Sequence, residues 1–138
     1  MDANRIVVDT NIIFASLLRG QSRFRQIILT HGARRFYSPR FVMVELFKHK
    51  ERIVTATELC EDDLLECLNA HLSSITFVEE GAIPIDTWIE GRRLCPDTDP
   101  EDAPFVTLTL HVNGLRWTAD SELEASLRRK GFTQFFNP

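Results

Sequence analysis

Long apolar runs are missing from this 138-residue chain: none approaches the ~18 residues a membrane-spanning helix needs. Met1 to Arg5 lead into a short strand-like run and not into the apolar stretch of a secretion signal. Cysteine is scarce. Cys60, Cys67 and Cys95 are odd in number and contain no CxxC pair, which argues against a disulfide framework or a zinc knuckle and fits reduced thiols in the cytoplasm. The four histidines, His31, His49, His71 and His111, are spread widely and form no HExxH, so a zinc site has no support. Repeats and linker-like stretches are absent as well.

What is present is an ordinary globular balance, 43% hydrophobic and 26% charged, and the length suits one domain over residues 1–138 with a single core. Net charge is −4, unevenly placed. Residues 1–52 hold ten Lys/Arg against four Asp/Glu, and residues 53–138 hold six against sixteen. The acidic total argues against a nonspecific nucleic-acid coat. The basic N-terminal third reads either as a local phosphate-binding face or as a solvated mixed surface.

Short apolar runs alternate with helical patterns. Arg5 to Val8 reads as a buried strand ending at Asp9-Thr10-Asn11. Helices are expected over Ile12 to Leu18 and over Ser22 to His31, the second closed by Gly32. A strand at Arg35 to Ser38 then precedes helices over Arg40 to Arg52 and Thr57 to Leu72. A strand at Ile75 to Val78 comes before helices over Pro84 to Leu94 and Glu101 to Val112. Leu115 to Ala119 reads as a strand, Ser121 to Lys130 as a helix and Phe132 to Phe136 as a terminal strand. The alternation predicts an α/β fold with a parallel sheet flanked by helices on both faces.

Several carboxylates look out of place. Asp9 and Asp120 each end an apolar strand, at the edge of the sheet where open α/β folds bind ligands. Helix capping is the competing explanation, through Asp9 or Thr10 and through Asp120 or Ser121. Glu45 sits in the apolar segment Phe41 to Phe47 and needs a partner, either an arginine such as Arg5 or Arg40, or a metal. Asp97, Asp99, Glu101 and Asp102 crowd the start of a helix, where capping explains one acid but not four in six residues, a solvated acidic loop being the competing explanation. With no matching set of lysines nearby in sequence, such carboxylates repel unless a divalent cation neutralises them. Oxygen donors alone point to Mg²⁺ or Mn²⁺. On repulsion alone, Asp9→Asn or Asp120→Asn raises the melting temperature in metal-free buffer.

The segments IVVDTN (Ile6 to Asn11), VELF (Val44 to Phe47), DPEDAPFVTLTL (Asp99 to Leu110) and WTAD (Trp117 to Asp120) resemble the motifs of the PIN domain, in that family's order. The resemblance covers almost the whole chain. It implies a Rossmann-like parallel sheet and a Mg²⁺- or Mn²⁺-dependent ribonuclease. Its acidic quartet falls on Asp9, Glu45, Asp102 and Asp120, with Asn11 and Thr118 as polar helpers and Asp99 as an additional acid. Related segments often carry a basic residue after the last motif, where this chain has Ser121 and Glu122. A short PIN-domain chain also resembles the toxin of a toxin–antitoxin pair, which implies an antitoxin protein as partner.

Phosphodiester hydrolysis needs an activated water and neutralised phosphoryl charge, which a carboxylate-held metal supplies without a lysine or histidine base. Arg19, Arg23, Arg25, Arg34, Arg35 and Arg40 are candidates to track a single-stranded RNA backbone, although a solvated helix face explains most of them too. Phe132, Phe135, Phe136 and Trp88 are read either as homodimer surface or as core. Two other function classes fit less well. A phosphoacceptor domain lacks its second acid, since Asn11 stands there, and its late lysine; a non-catalytic module binding RNA or protein has no need of an intact quartet.

Overall fold

Ile6, Val7 and Val8 are all fully buried, although successive side chains of a strand point to opposite faces. Their strand, β1 (Arg5–Val8), therefore lies in a sheet covered on both sides, as the sequence predicts. The structure, a computed structural model, describes residues 1–19, 26–28, 30, 32–95 and 100–138. The other strands are β2 (Arg35–Pro39), β3 (Ile75–Val78) and β4 (Leu115–Trp117). All pairings are parallel and the order is β3-β2-β1-β4. Ile6 stands between Phe36 and Leu115, and Val8 beside Trp117. The chain thus leaves β1 toward one side for β2 and β3, then returns to its other side for β4. That reversal opens a crevice beyond the carboxyl ends of β1 and β4, where ligands of open α/β sheets bind.

Between the strands run α1 (Thr10–Leu18), α2 (Arg40–Lys48), α3 (Lys50–Ala56), α4 (Glu61–Ser74), α5 (Ile85–Leu94) and α6 (Ala103–Val112), and α7 (Ser121–Arg129) follows β4. Single 3₁₀ turns cover Glu80–Ala82 and Pro100–Asp102. Of the helix expected over Ser22 to His31, residues 26–28 are helical and the rest lies largely outside the described residues. Gly32 adopts φ 62°, the left-handed geometry a helix-closing glycine supplies.

Four expected boundaries are corrected. The helix over Arg40 to Arg52 is two helices, because His49 leaves helical geometry at φ −104° and ψ 16°. The helix expected from Thr57 starts at Glu61. Thr57 is extended, and its hydroxyl donates to the Leu17 carbonyl at 2.6 Å while accepting from the Leu59 N–H at 3.1 Å. Glu61, Asp62 and Asp63 then fill the first turn of α4, where negative charge favours a helix. The last strand stops at Trp117 and not at Ala119. Phe132 to Phe136 form no strand but one parallel bridge, Phe135 to Arg116, held by the Arg116 N–H on the Gln134 carbonyl and the Phe136 N–H on the Arg116 carbonyl, both 2.8 Å.

The aromatic residues offered as dimer surface belong to the interior. Phe132 and Phe135 are buried with Leu94, Val106, Leu123 and Leu127, Phe136 packs edge-on against Trp117, and Trp88 is half-buried with its indole N–H on the Glu80 carbonyl. Among the described residues, the exposed large apolar side chains are Met1 at the N-terminus and, on the helices, Val44, Phe47, Val54, Leu65, Ile85 and Ile89.

Helices α5 and α6 touch where Gly91 faces Thr107. A Cβ on Gly91 would overlap the Thr107 hydroxyl and come within 3.0 Å of the Thr107 Cβ, and Thr107 is fully buried. Gly91→Ala is therefore expected to cost about 1–3 kcal/mol through overpacking, against the modest gain alanine brings to an open helix position. Urea denaturation checks this; unchanged stability would mean the two helices separate freely.

Candidate active site

Asp9 stands at the N-cap position of α1 yet does not cap it, because its side chain makes no bond to the helix backbone. Its backbone is fully engaged instead. The N–H donates to the Trp117 carbonyl at 3.1 Å, and the carbonyl accepts from the Ile12 and Ile13 N–H groups at 3.1 and 3.3 Å. The side chain, 10% exposed, is turned to the β1/β4 crevice, where Oδ2 accepts from the Thr118 hydroxyl at 3.0 Å. The capping explanation fails for this residue.

For Asp120 it succeeds. Oδ1 accepts from the Glu122 and Leu123 N–H groups, each at 3.1 Å, fixing the start of α7. Thr118 joins the two acids: while it donates to Asp9, its oxygen accepts from the Asp120 N–H at 3.1 Å. Asp120 itself is exposed, and no hydrogen bond to its Oδ2 is found among the described residues. Ser121 and Glu122, the departure after WTAD, are exposed, and the Glu122 backbone serves the cap.

Asp102 ends the 3₁₀ turn ahead of α6 and likewise makes no side-chain cap. Its Oδ1 lies 3.5 Å from Nη2 of Arg116, and the same nitrogen is 3.7 Å from Asp9 Oδ2. One guanidinium thus connects the acid after β1 with the acid before α6. Sequence reasoning missed Arg116 and took these acids to lack a counter-charge, which is corrected here. The available signal was its place in Leu-Arg-Trp: in a strand covered on both faces, the arginine has no route to water and must find anions inside.

Glu45 was expected to be buried and to pair with Arg5, Arg40 or a metal. The segment around it is less enclosed than its composition suggests, with Val44 and Phe47 exposed. Glu45 is partly open and pairs with His49 one turn on, at 3.2 Å. Arg5 is engaged with Asp2 and the Val112 carbonyl, and Arg40 with Glu79 at 2.9 Å. Glu45 and His49 line a groove of about 350 Å³ with Asn11, Phe14 and Arg52. Asn11 lies two residues beyond Asp9, in the first turn of α1, so the groove reaches the same end of α1 at which Asp9 stands.

Among the cations offered for a backbone track, Arg19, Arg34, Arg35 and Arg40 are exposed. Arg40 is ion-paired, and Arg34 sits 5.1 Å over the Phe136 ring. Arg23, Arg25, Asp97 and Asp99 lie outside the described residues. Arg52, not among the expected residues, lines the groove itself beside His49.

Among the described residues, no three His, Cys, Asp or Glu side chains close into a ready-made metal cage. The donor set nonetheless fits a hard cation. Asp9 Oδ1 and Asp120 Oδ2 are carboxylate oxygens with no hydrogen bond among the described residues, either side of Thr118. Mg²⁺ is commonly held by one or two carboxylates, with waters and substrate phosphates completing its shell.

No curated protein matches the sequence. The family model for the PIN domain matches residues 7–131, from within β1 to just beyond α7, and it takes in Asp9, Glu45, Asp102 and Asp120. The chain therefore belongs to the PIN-domain family, whose members are generally nucleases.

Proposed function

We propose that residues 1–138 form one PIN domain that acts as a Mg²⁺- or Mn²⁺-dependent endoribonuclease on single-stranded RNA, in the cytoplasm, as the toxin of a toxin–antitoxin pair. The observation that carries the enzymatic reading is the convergence of Asp9, Thr118, Asp120 and Asp102 on the crevice beyond β1 and β4.

In this reading Asp9 and Asp120 hold the cation, with Asp102 and Glu45 completing the acidic site. When bound, Mg²⁺ or Mn²⁺ supplies an activated water and neutralises charge on the phosphoryl group. The chain's own residues do the rest. Thr118 fixes the Asp9 carboxylate by donating to Oδ2, which leaves Oδ1 as the oxygen that would hold a cation. Asp120 is immobilised by its two backbone bonds, which removes the entropy cost of orienting it. Asn11 presents an exposed amide for a phosphate oxygen, and the groove beyond it offers Arg52 to the RNA backbone and Phe14 and His49 to a base. No described helix is long and apolar enough to cross a membrane.

The test is incubation of the purified chain with single-stranded RNA in Mn²⁺ or Mg²⁺. Cleavage that stops with EDTA and returns with Mn²⁺ is expected; none in either metal would sink the enzymatic reading. A second reading is favoured by Arg116, which already neutralises part of the acidic site. In that case the domain binds RNA or a partner protein without cleaving, and RNA binding insensitive to EDTA is its signature. An antitoxin would be found by co-purification from its native source, and a homodimer by sedimentation at micromolar concentration.

A further inference from the structure

Arg116 is fully buried, and a charge without water must be matched by anions. Its guanidinium lies between two of them. Nη2 is 3.7 Å from Asp9 Oδ2 and 3.5 Å from Asp102 Oδ1, Nη1 is 3.4 Å from the Asp102 carbonyl oxygen, and the group sits 5.3 Å over the Phe105 ring. Nε has no hydrogen-bond partner among the described residues. Close charge-assisted bonds measure about 2.7–2.9 Å, so the guanidinium is shared by the two carboxylates and closes on neither.

We infer that Arg116 occupies the role of a second metal ion, so that the acidic site takes one divalent cation and not two. The inference rests on the metal-dependent reading above. Two-metal sites set their ions about 3.5–4 Å apart, with both ions drawing on shared oxygen ligands. The oxygens on the inner side of this site are already in use: Asp9 Oδ2 accepts from Thr118 and faces Nη2, and Asp102 Oδ1 faces the same nitrogen. A second divalent ion there would meet a fixed positive charge that is buried and therefore poorly screened.

Manganese alone is a sufficient probe, because free Mn²⁺ gives an electron paramagnetic resonance signal that bound Mn²⁺ loses at room temperature. Titrating the metal-free wild-type protein is expected to give one Mn²⁺ per chain and, on freezing, the spectrum of an isolated ion. Two Mn²⁺ per chain, or the broadened spectrum of a coupled pair, would overturn the inference while leaving the metal-dependent reading intact. No bound Mn²⁺ would overturn both. Arg116→Lys keeps the charge and is expected to stay at one. Arg116→Met is expected to rise to two, with a larger increase in melting temperature on adding Mn²⁺ than the wild type shows; a value of one for this variant would also overturn the inference. If Arg116→Met does not fold without metal, the wild-type titration decides alone. A purely structural arginine would leave the stoichiometry unmoved.

Discussion

Asp120→Asn is expected to lower RNA cleavage by at least about 100-fold while leaving stability within about 0.5 kcal/mol of wild type. The two effects separate because Asp120 uses its oxygens differently. Oδ1 accepts the Glu122 and Leu123 N–H groups, a duty that the side-chain oxygen of asparagine performs equally well. The other oxygen becomes an amide nitrogen, which brings no charge and no lone pair to a cation. Asp120→Ala, by contrast, removes the cap and is expected to cost about 1 kcal/mol as well. Cleavage and urea denaturation measured on both variants give the check. If Asp120→Asn cleaves at the wild-type rate, Asp120 is a cap and nothing more.

Arg116→Met is expected to be the most destabilising single change at the site, at about 3–5 kcal/mol in metal-free buffer, because it leaves the buried Asp9 and its neighbour Asp102 facing each other without a counter-charge. The same geometry reverses what repulsion alone suggests for Asp9→Asn. That substitution removes half of the anion set around a buried guanidinium, so melting temperature is expected to fall and not to rise. The Thr118 hydroxyl still finds an oxygen to donate to, which limits the loss. Arg116→Met and Asp9→Asn share one interaction. The double variant is expected to be more stable than the separate losses predict, with a coupling energy of about 0.5–3 kcal/mol. Additive losses would show that the guanidinium leans on Asp102 alone.

The sheet and the two acids at its strand ends were legible in the sequence because they follow from local pattern. Ile6-Val7-Val8 and Leu115-Arg116-Trp117 are too short for helices, and each runs into a polar turn that begins the next helix. Asp9 and Asp120 were visible for the same reason. Which of them caps its helix was not visible, since that depends on a rotamer choice: Asp9 is drawn off by Thr118, a residue 109 positions away. Glu45 misled through composition. Phe41 to Phe47 looks apolar all round, but Val44 and Phe47 face outward and the carboxylate finds His49 at helical spacing. The break at His49 and the late start of α4 at Glu61 depend on tertiary contacts, notably Thr57 on the Leu17 carbonyl, that no window of sequence contains. Arg116 carried a readable sign, a cation inside a doubly covered strand, but its partners come from two distant parts of the chain, Asp9 after β1 and Asp102 with Phe105 at the start of α6.

The central position of β1 has a temporal consequence. β1 is among the first segments of the described chain to leave the ribosome, but its neighbour β4 is among the last, and the Asp9 N–H has its partner only when Trp117 arrives. Contacts so distant along the chain form late, after a large loop has been closed. A nascent polypeptide therefore carries Asp9 without Arg116, Thr118 or Asp120 beside it until β4 and the start of α7 have been made. The crevice is not a property of the first strand and its acid; it exists only once the segment from Leu115 to Arg129 has docked beside β1.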